Sequence, residues 1–162
     1  LLIAASTTCG NDEDGQTPAK ASPGDLVGKT APDLVAEEVF NGPTELSFQK
    51  LRGKVVVVNF WLRSCPICMK NLARMQALHN KYEKSGLVVI GIHMAEESEA
   101  MSDWLKDRGV TYPVAIDKGD TAKEYSLGEF PTYFLVNGAG KVVKVLTKQP
   151  PTDQQIEELL GS

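Results

Sequence analysis

The chain has 162 residues, 42% of them hydrophobic and 23% charged, with a net charge of −4. That length suits one compact domain, and the composition excludes both a wholly disordered chain and a membrane bundle. The acidic balance and the lack of any long Lys/Arg run exclude nucleic acid as the main partner, and three cysteines are too few for a disulfide-stapled mini-protein.

Residues 1–26 read as lying outside the fold. Leu1 to Ala5 is an apolar run, followed by Ser6, Thr7, Thr8 and Cys9, and it looks like the tail of an export signal. A polar stretch rich in Pro, Ala and Gly then runs to Gly28, with little to bury, as a flexible tether would. This arrangement resembles a bacterial lipoprotein, in which the cysteine after the signal receives lipid; Ser6 stands where such signals favour Leu. The resemblance implies lipidation at Cys9, a periplasmic or cell-surface location, and membrane contact only through that anchor. A soluble secreted protein with a spare cysteine is the alternative.

The domain is expected over 27–162. Leu34 to Phe40 and Glu45 to Phe48 flank the turn signal Asn41-Gly42-Pro43, which predicts an N-terminal hairpin. Val55 to Trp61 is a β-branched run without alternation, suited to a central strand covered on both faces. Cys68, Leu72, Met75, Leu78 and Tyr82 recur at spacings of three and four and predict a helix ending near Gly86. Leu87 to Ile92 reads as a second buried strand. Ala100 to Leu105 reads as a helix stopped by Gly109, Tyr112 to Asp117 as a strand, and Ala122 to Tyr125 as a short helical piece. This alternation predicts a sheet that begins parallel. Thr132 to Asn137 and Lys141 to Lys148 flank Gly138-Ala139-Gly140 as a hairpin, and Thr152 with Gln155 caps a last helix that buries Ile156.

The chemistry centres on Cys65-Pro66-Ile67-Cys68, where a buried strand passes into a helix. Unpaired N–H groups and the helix dipole favour negative charge there, so Cys65 is the candidate nucleophile. Cys68 lies almost one turn on, along the inward stripe, and is the natural resolving thiol. Pro66 suits the first turn, and Ser64 is placed to cap. A zinc site needs four ligands. His79 lies ~16 Å along the helix axis from Cys68, and His93 alone leaves the set incomplete, so neither a metal nor any other cofactor is assigned. Both histidines and the Glu96–Glu99 run read as structural or solvated, the acids sitting at the start of the second helix. Trp104 reads as helix core, and Trp61 either as a strand-end core residue or as part of the active-site rim.

Asn59-Phe60-Trp61-Leu62-Arg63-Ser64-Cys65-Pro66-Ile67-Cys68, the later Phe130-Pro131-Thr132 strand start and Gly140-Lys141-Val142-Val143 resemble thioredoxin-like proteins of the TlpA/ResA type over roughly Val27 to Ser162. The resemblance implies a thioredoxin fold: an α/β architecture with a central mixed sheet flanked by helices, an N-terminal β-hairpin, and an inserted helix and strand at Ser98 to Asp117. It implies an exported thiol-disulfide oxidoreductase whose partners are protein thiols or disulfides, among them those of cytochrome c maturation, and an upstream membrane or periplasmic electron donor. By the same resemblance Pro131 is a cis proline facing the cysteines, and Trp61, Pro66, Ile67, Phe130 and Pro131 bind the substrate. Three positions depart from the pattern. Ser64 replaces a Trp, and Asn59 and Asn71 stand where carboxylates are usual, which leaves Glu129 as the acid nearest in sequence to the facing loop and the candidate for proton transfer. A redox-inert binding module is the alternative from another class. A peroxiredoxin-like peroxidase is the alternative from the sister class, although Leu62 stands where its Thr would be.

Overall fold

The structure is a computed structural model that describes residues 21–162. The expected signal remnant, most of the tether and Cys9 lie outside the described residues. Six strands form one mixed sheet: β1 (Glu38–Phe40), β2 (Val55–Trp61), β3 (Leu87–Met94), β4 (Val114–Asp117), β5 (Thr132–Val136) and β6 (Val142–Thr147), in the spatial order β1-β4-β3-β2-β5-β6. β2, β3 and β4 run parallel, whereas β1, β5 and β6 pair antiparallel with their neighbours. The helices are α1 (Pro66–Tyr82), α2 (Met101–Asp107), α3 (Asp120–Glu124) and α4 (Asp153–Leu160). None of the described helices is long and apolar enough to cross a membrane.

Every residue of β2 is buried, as its unbroken apolar run predicts for a central strand. Successive side chains point to opposite faces. Val55, Val57 and Trp61 therefore pack with α1, α2 and Ile156 of α4, while Val56, Val58 and Phe60 pack with Leu34, Leu46, Phe48, Tyr125 and Phe134 on the other face. α1 buries Cys68, Leu72, Met75, Leu78 and Tyr82, the stripe read from the spacing. α1 runs into a 3₁₀ turn over Glu83–Ser85, and Gly86 closes that turn at φ 104°, the left-handed conformation that glycine adopts without a Cβ penalty. Thr152 and Gln155 form the capping box expected for α4.

The N-terminal hairpin is a correction. Glu38–Phe40 is a strand, but its partner is β4, with Val39 opposite Ala115. Residues 45–48 form no strand and instead enter a turn, with Leu46 and Phe48 buried against the second core. The turn signal itself is used differently. Asn41, at φ 57°, donates from Nδ2 to the carbonyl of Val110 at 2.8 Å, and Gly42 lies so close to Pro113 that a Cβ there would come within 2.9 Å of it. The turn thus ties β1 to the loop entering β4 rather than to the next segment. The inserted helix and strand are α2 and β4. Gly28–Ala31 adds a short antiparallel bridge beside Lys141, with Gly28 N–H donating to Val142 O at 2.7 Å.

Candidate active site

β2 and β5 are antiparallel, with Phe60 opposite Thr132, so the loop leaving β2 and the loop entering β5 meet at one end of the sheet. The first holds Leu62 to Cys65 and the second Phe130 and Pro131, joined by a cis peptide as the resemblance implied. Cys65, Met69 and Phe130 all pack against the core cluster that contains Cys68 and Trp61. Cys65 and Cys68 form a disulfide with Cα atoms 5.2 Å apart.

The two cysteines differ in the way an attacking and a resolving thiol must. Cys68 is 3% exposed and belongs to the buried stripe of α1. Cys65 is half-buried and is itself the N-cap of α1, its Sγ accepting the Cys68 N–H at 3.2 Å. Sequence reasoning placed the cap one residue early. Ser64 is exposed, and its own N–H is committed to Glu97 Oε2 at 3.0 Å. A sulfur that caps a helix receives both an N–H donor and the positive end of the dipole, and both favour the thiolate when the pair is reduced.

Pro66 and Ile67 are exposed, Ile67 by 43%, which makes it one of the few large apolar side chains open to solvent among the described residues. Phe130 is half-buried and Pro131 is buried. Beside Phe130 opens a hollow of about 520 Å³ whose lining includes Met94, Ala122 and Leu127. Trp61 is corrected. At 0% exposure it cannot touch a substrate; it stacks on Trp104 at 5.5 Å between centroids and meets the His93 ring edge-on at 4.6 Å. Gly91 makes room for it. Trp104 is half-buried rather than core, with the Arg108 guanidinium 4.0 Å above its ring.

The two asparagines at carboxylate positions have separate roles. Asn71 Nδ2 donates to Tyr133 Oη at 3.0 Å and to Lys148 O at 2.9 Å. It thereby braces α1 against the end of β6, and Lys148 N–H in turn donates to Pro131 O at 2.9 Å. Burial pushes the Tyr133 hydroxyl up to about 12, so it stays protonated. Asn59 alternates with Val57 and Trp61 on the α1 face of β2, 3% exposed, and its Oδ1 has no partner among the described residues. Glu129 pairs with Lys148 at 3.2 Å, both side chains about half-exposed, so its carboxylate is directed along the surface.

The residues that sequence reasoning passed over are His93 and Glu97. His93 is wholly buried, and its Nε2 accepts the Arg63 N–H at 3.2 Å. Burial holds its pKa down to about 4, so the ring is neutral at physiological pH. The Glu96–Glu99 run precedes α2 rather than opening it, with Ala95–Glu97 forming a short 3₁₀ turn. No spacing rule connects position 97 with position 64, so only the fold reveals the contact.

A thioredoxin fold with a Cys-x-x-Cys pair at a helix start, and a cis Phe130–Pro131 peptide in the loop at the same end of the sheet, defines a thiol-disulfide exchange domain. Residues 26–160 match the Redoxin family model, and the chain belongs to that family. It is 37% identical over 136 residues to the thiol-disulfide oxidoreductase ResA of Bacillus cereus, covering 83% of this chain and 76% of that one. It is 34% identical over 121 residues to ResA of Bacillus subtilis, covering 74% and 66%. A thiol-disulfide isomerase from Corynebacterium glutamicum superposes with TM-score 0.68 at 31% identity, over 81% of this chain and 94% of that one. A thiol:disulfide interchange protein from Chlorobium tepidum shares the fold with TM-score 0.70 at 22% identity, over 82% and 98%. The chain is therefore a ResA-like homologue of thiol-disulfide oxidoreductases, with Cys65 and Cys68 as its pair.

Proposed function

We propose that this domain reduces protein disulfides outside the cytoplasm. The observation that carries the reading is the asymmetry of the pair: Cys65 half-buried and capping a helix, Cys68 3% exposed beneath it. In the reduced protein the Cys65 thiolate attacks a substrate disulfide. A Cys65–substrate disulfide forms, the substrate S–S bond breaks, and one substrate sulfur leaves as thiolate. Cys68 then loses its proton and attacks Cys65 Sγ, so the second substrate sulfur leaves and the Cys65–Cys68 disulfide closes. Two electrons have moved to the substrate.

The chain's own groups divide the work. Pro66, Ile67 and Phe130 offer an apolar landing surface, and the backbone beside Pro131 is placed to align an extended substrate segment. The hollow beside Phe130 is open to a substrate side chain that reaches past that residue. Neither Asn59 nor Asn71 can act as a base, and Glu129 is paired with Lys148, so solvent water takes the proton of Cys68. Cytochrome c maturation thiols are one substrate class consistent with the likeness to ResA. A lipid on Cys9 would hold the domain at a membrane surface, within reach of a membrane or periplasmic electron donor.

The competing reading is a redox-inert module. Equilibration of the Cys65–Cys68 couple with glutathione and dithiothreitol buffers separates the two. A working dithiol lies at roughly −120 to −270 mV, whereas a potential below about −300 mV would mark a structural disulfide and overturn the proposal.

A further inference from the structure

The end of β3 and the segment that follows it grip the loop before the nucleophile at three points. His93 Nε2 accepts the Arg63 N–H at 3.2 Å, Glu97 Oε2 accepts the Ser64 N–H at 3.0 Å, and Glu99 O accepts Arg63 Nη1 at 2.9 Å. Cys65 N–H meanwhile donates to Leu62 O at 3.3 Å. The three backbone donors leading into the cysteine are therefore all engaged, and two of them end on ionisable side chains. His93 is fully buried and neutral, and its Nε2, an acceptor 3.9 Å from Glu97 Oε2, sets no positive charge against the carboxylate.

Glu97 is an anion at neutral pH. The Ser64 hydrogen bonds, above all, hold its carboxyl below the usual range. No Lys or Arg side chain among the described residues pairs with Glu97. Arg63 reaches Glu99 O and lies 6.0 Å over Trp104, Arg108 sits on the same ring, and Lys148, just past β6, is paired with Glu129. Glu96 and Glu99 add further negative charge on the same exposed segment. A fixed anion one residue from a thiol opposes the helix terminus, which favours the thiolate.

We propose that Glu97 is a positioning residue for the nucleophile: it fixes the peptide preceding Cys65, and its charge opposes loss of the Cys65 proton. The proposal rests on Cys65 being the attacking thiol. Its chemical consequence is a more reducing couple, because a dithiol whose thiolate is less stabilised gives up electrons more readily. Glu97 therefore shifts the couple toward the reducing side.

The test is the pH dependence of alkylation at Cys65 in the reduced full chain, read by mass spectrometry, for wild type, Glu97→Gln and Glu97→Lys. Gln keeps an acceptor for Ser64 but drops the charge, and Lys reverses it. The side chain is about 30% exposed, so both variants are expected to fold, which circular dichroism checks. For a unit charge ~8 Å away near the surface, the midpoint should fall by roughly half a pH unit with Gln and about twice that with Lys. Alkylation below the wild-type midpoint then rises about threefold and about tenfold, and both shifts shrink in molar salt. Midpoints that coincide across the three proteins, or that rise, overturn the role of Glu97. If Cys68 is alkylated before Cys65 in wild type, the nucleophile assignment itself fails, an outcome distinct from a flat series with Cys65 first.

Discussion

Gly91→Ala would push a methyl group into the packing that supports the active-site loop. Gly91 lies on β3 opposite Asn59 of β2 and Val114 of β4. A Cβ there would sit 2.8 Å from Trp61 Nε1, 3.2 Å from Tyr112 Cε2 and 3.3 Å from Val114 Cγ2. Favourable heavy-atom contacts lie near ~3.5–4.0 Å, so the indole must retreat by roughly 1 Å. It has nowhere to go, because it is stacked on Trp104 and set against His93, and the Trp61, Tyr112 and His93 side chains are all wholly buried. Overpacking of this kind costs ~1–3 kcal/mol. At ~2 kcal/mol, a chain of this size loses about 4–8 °C in Tm. Urea unfolding of the oxidised protein measures the cost directly, as a lower midpoint at unchanged slope. Gly128→Ala is the control, since a Cβ there meets nothing within 4 Å, and it should stay within about 0.5 kcal/mol of wild type. A Gly91→Ala protein as stable as that control would refute the packing account of Trp61.

Asn71→Ala removes the donor shared by Tyr133 Oη and Lys148 O, and should cost ~1–2 kcal/mol in the same urea assay. Asp153 is held well below the usual carboxylate range by Lys81 first, then Tyr82 and Arg74, with Lys81 Nζ at 2.7 Å and Arg74 Nη1 at 2.8 Å. The unfolded chain takes up that proton at the ordinary pKa, so the stabilisation is complete above about pH 4 and fades as pH falls through the depressed folded value. Asp153→Asn should flatten the acid limb of a stability–pH curve. Glu129→Gln should leave the pH–rate curve for reduction of a model disulfide superimposable on wild type, because the carboxylate is engaged with Lys148; a selective loss of the resolution step would return it to the proton path.

What could be read in advance was what short range decides. The α1 stripe, the buried run of β2 and the Thr152–Gln155 box each depend on neighbours within a few residues, and each is present. The Cys-x-x-Cys pair at a strand-to-helix junction was legible for the same reason. The hairpin failed because Asn41-Gly42-Pro43 specifies a turn but not a partner, and the partner of β1 comes from a strand 76 residues along, at Val39 opposite Ala115. Trp61 failed because periodicity does not say which of two faces at a strand end is sealed, and α2 with Trp104 seals this one. From the sequence, His93 reads as a lone structural histidine and Glu97 as one acid of a solvated run. Their meaning lies in the Arg63 and Ser64 amides, which the parallel pairing of β2 with β3 brings beside them.

Trapping of the mixed disulfide tests the central claim most directly. The Cys68→Ser chain, reduced and then mixed with a protein disulfide, lacks the thiol that resolves the intermediate. With Cys9 changed to Ser in both proteins, mass spectrometry should find the substrate linked covalently to Cys65 and released by dithiothreitol, while Cys65→Ser captures little because its one remaining sulfur, Cys68, is buried, 3% exposed. Equal or greater capture by Cys65→Ser would contradict the assignment of attack to Cys65 and resolution to Cys68.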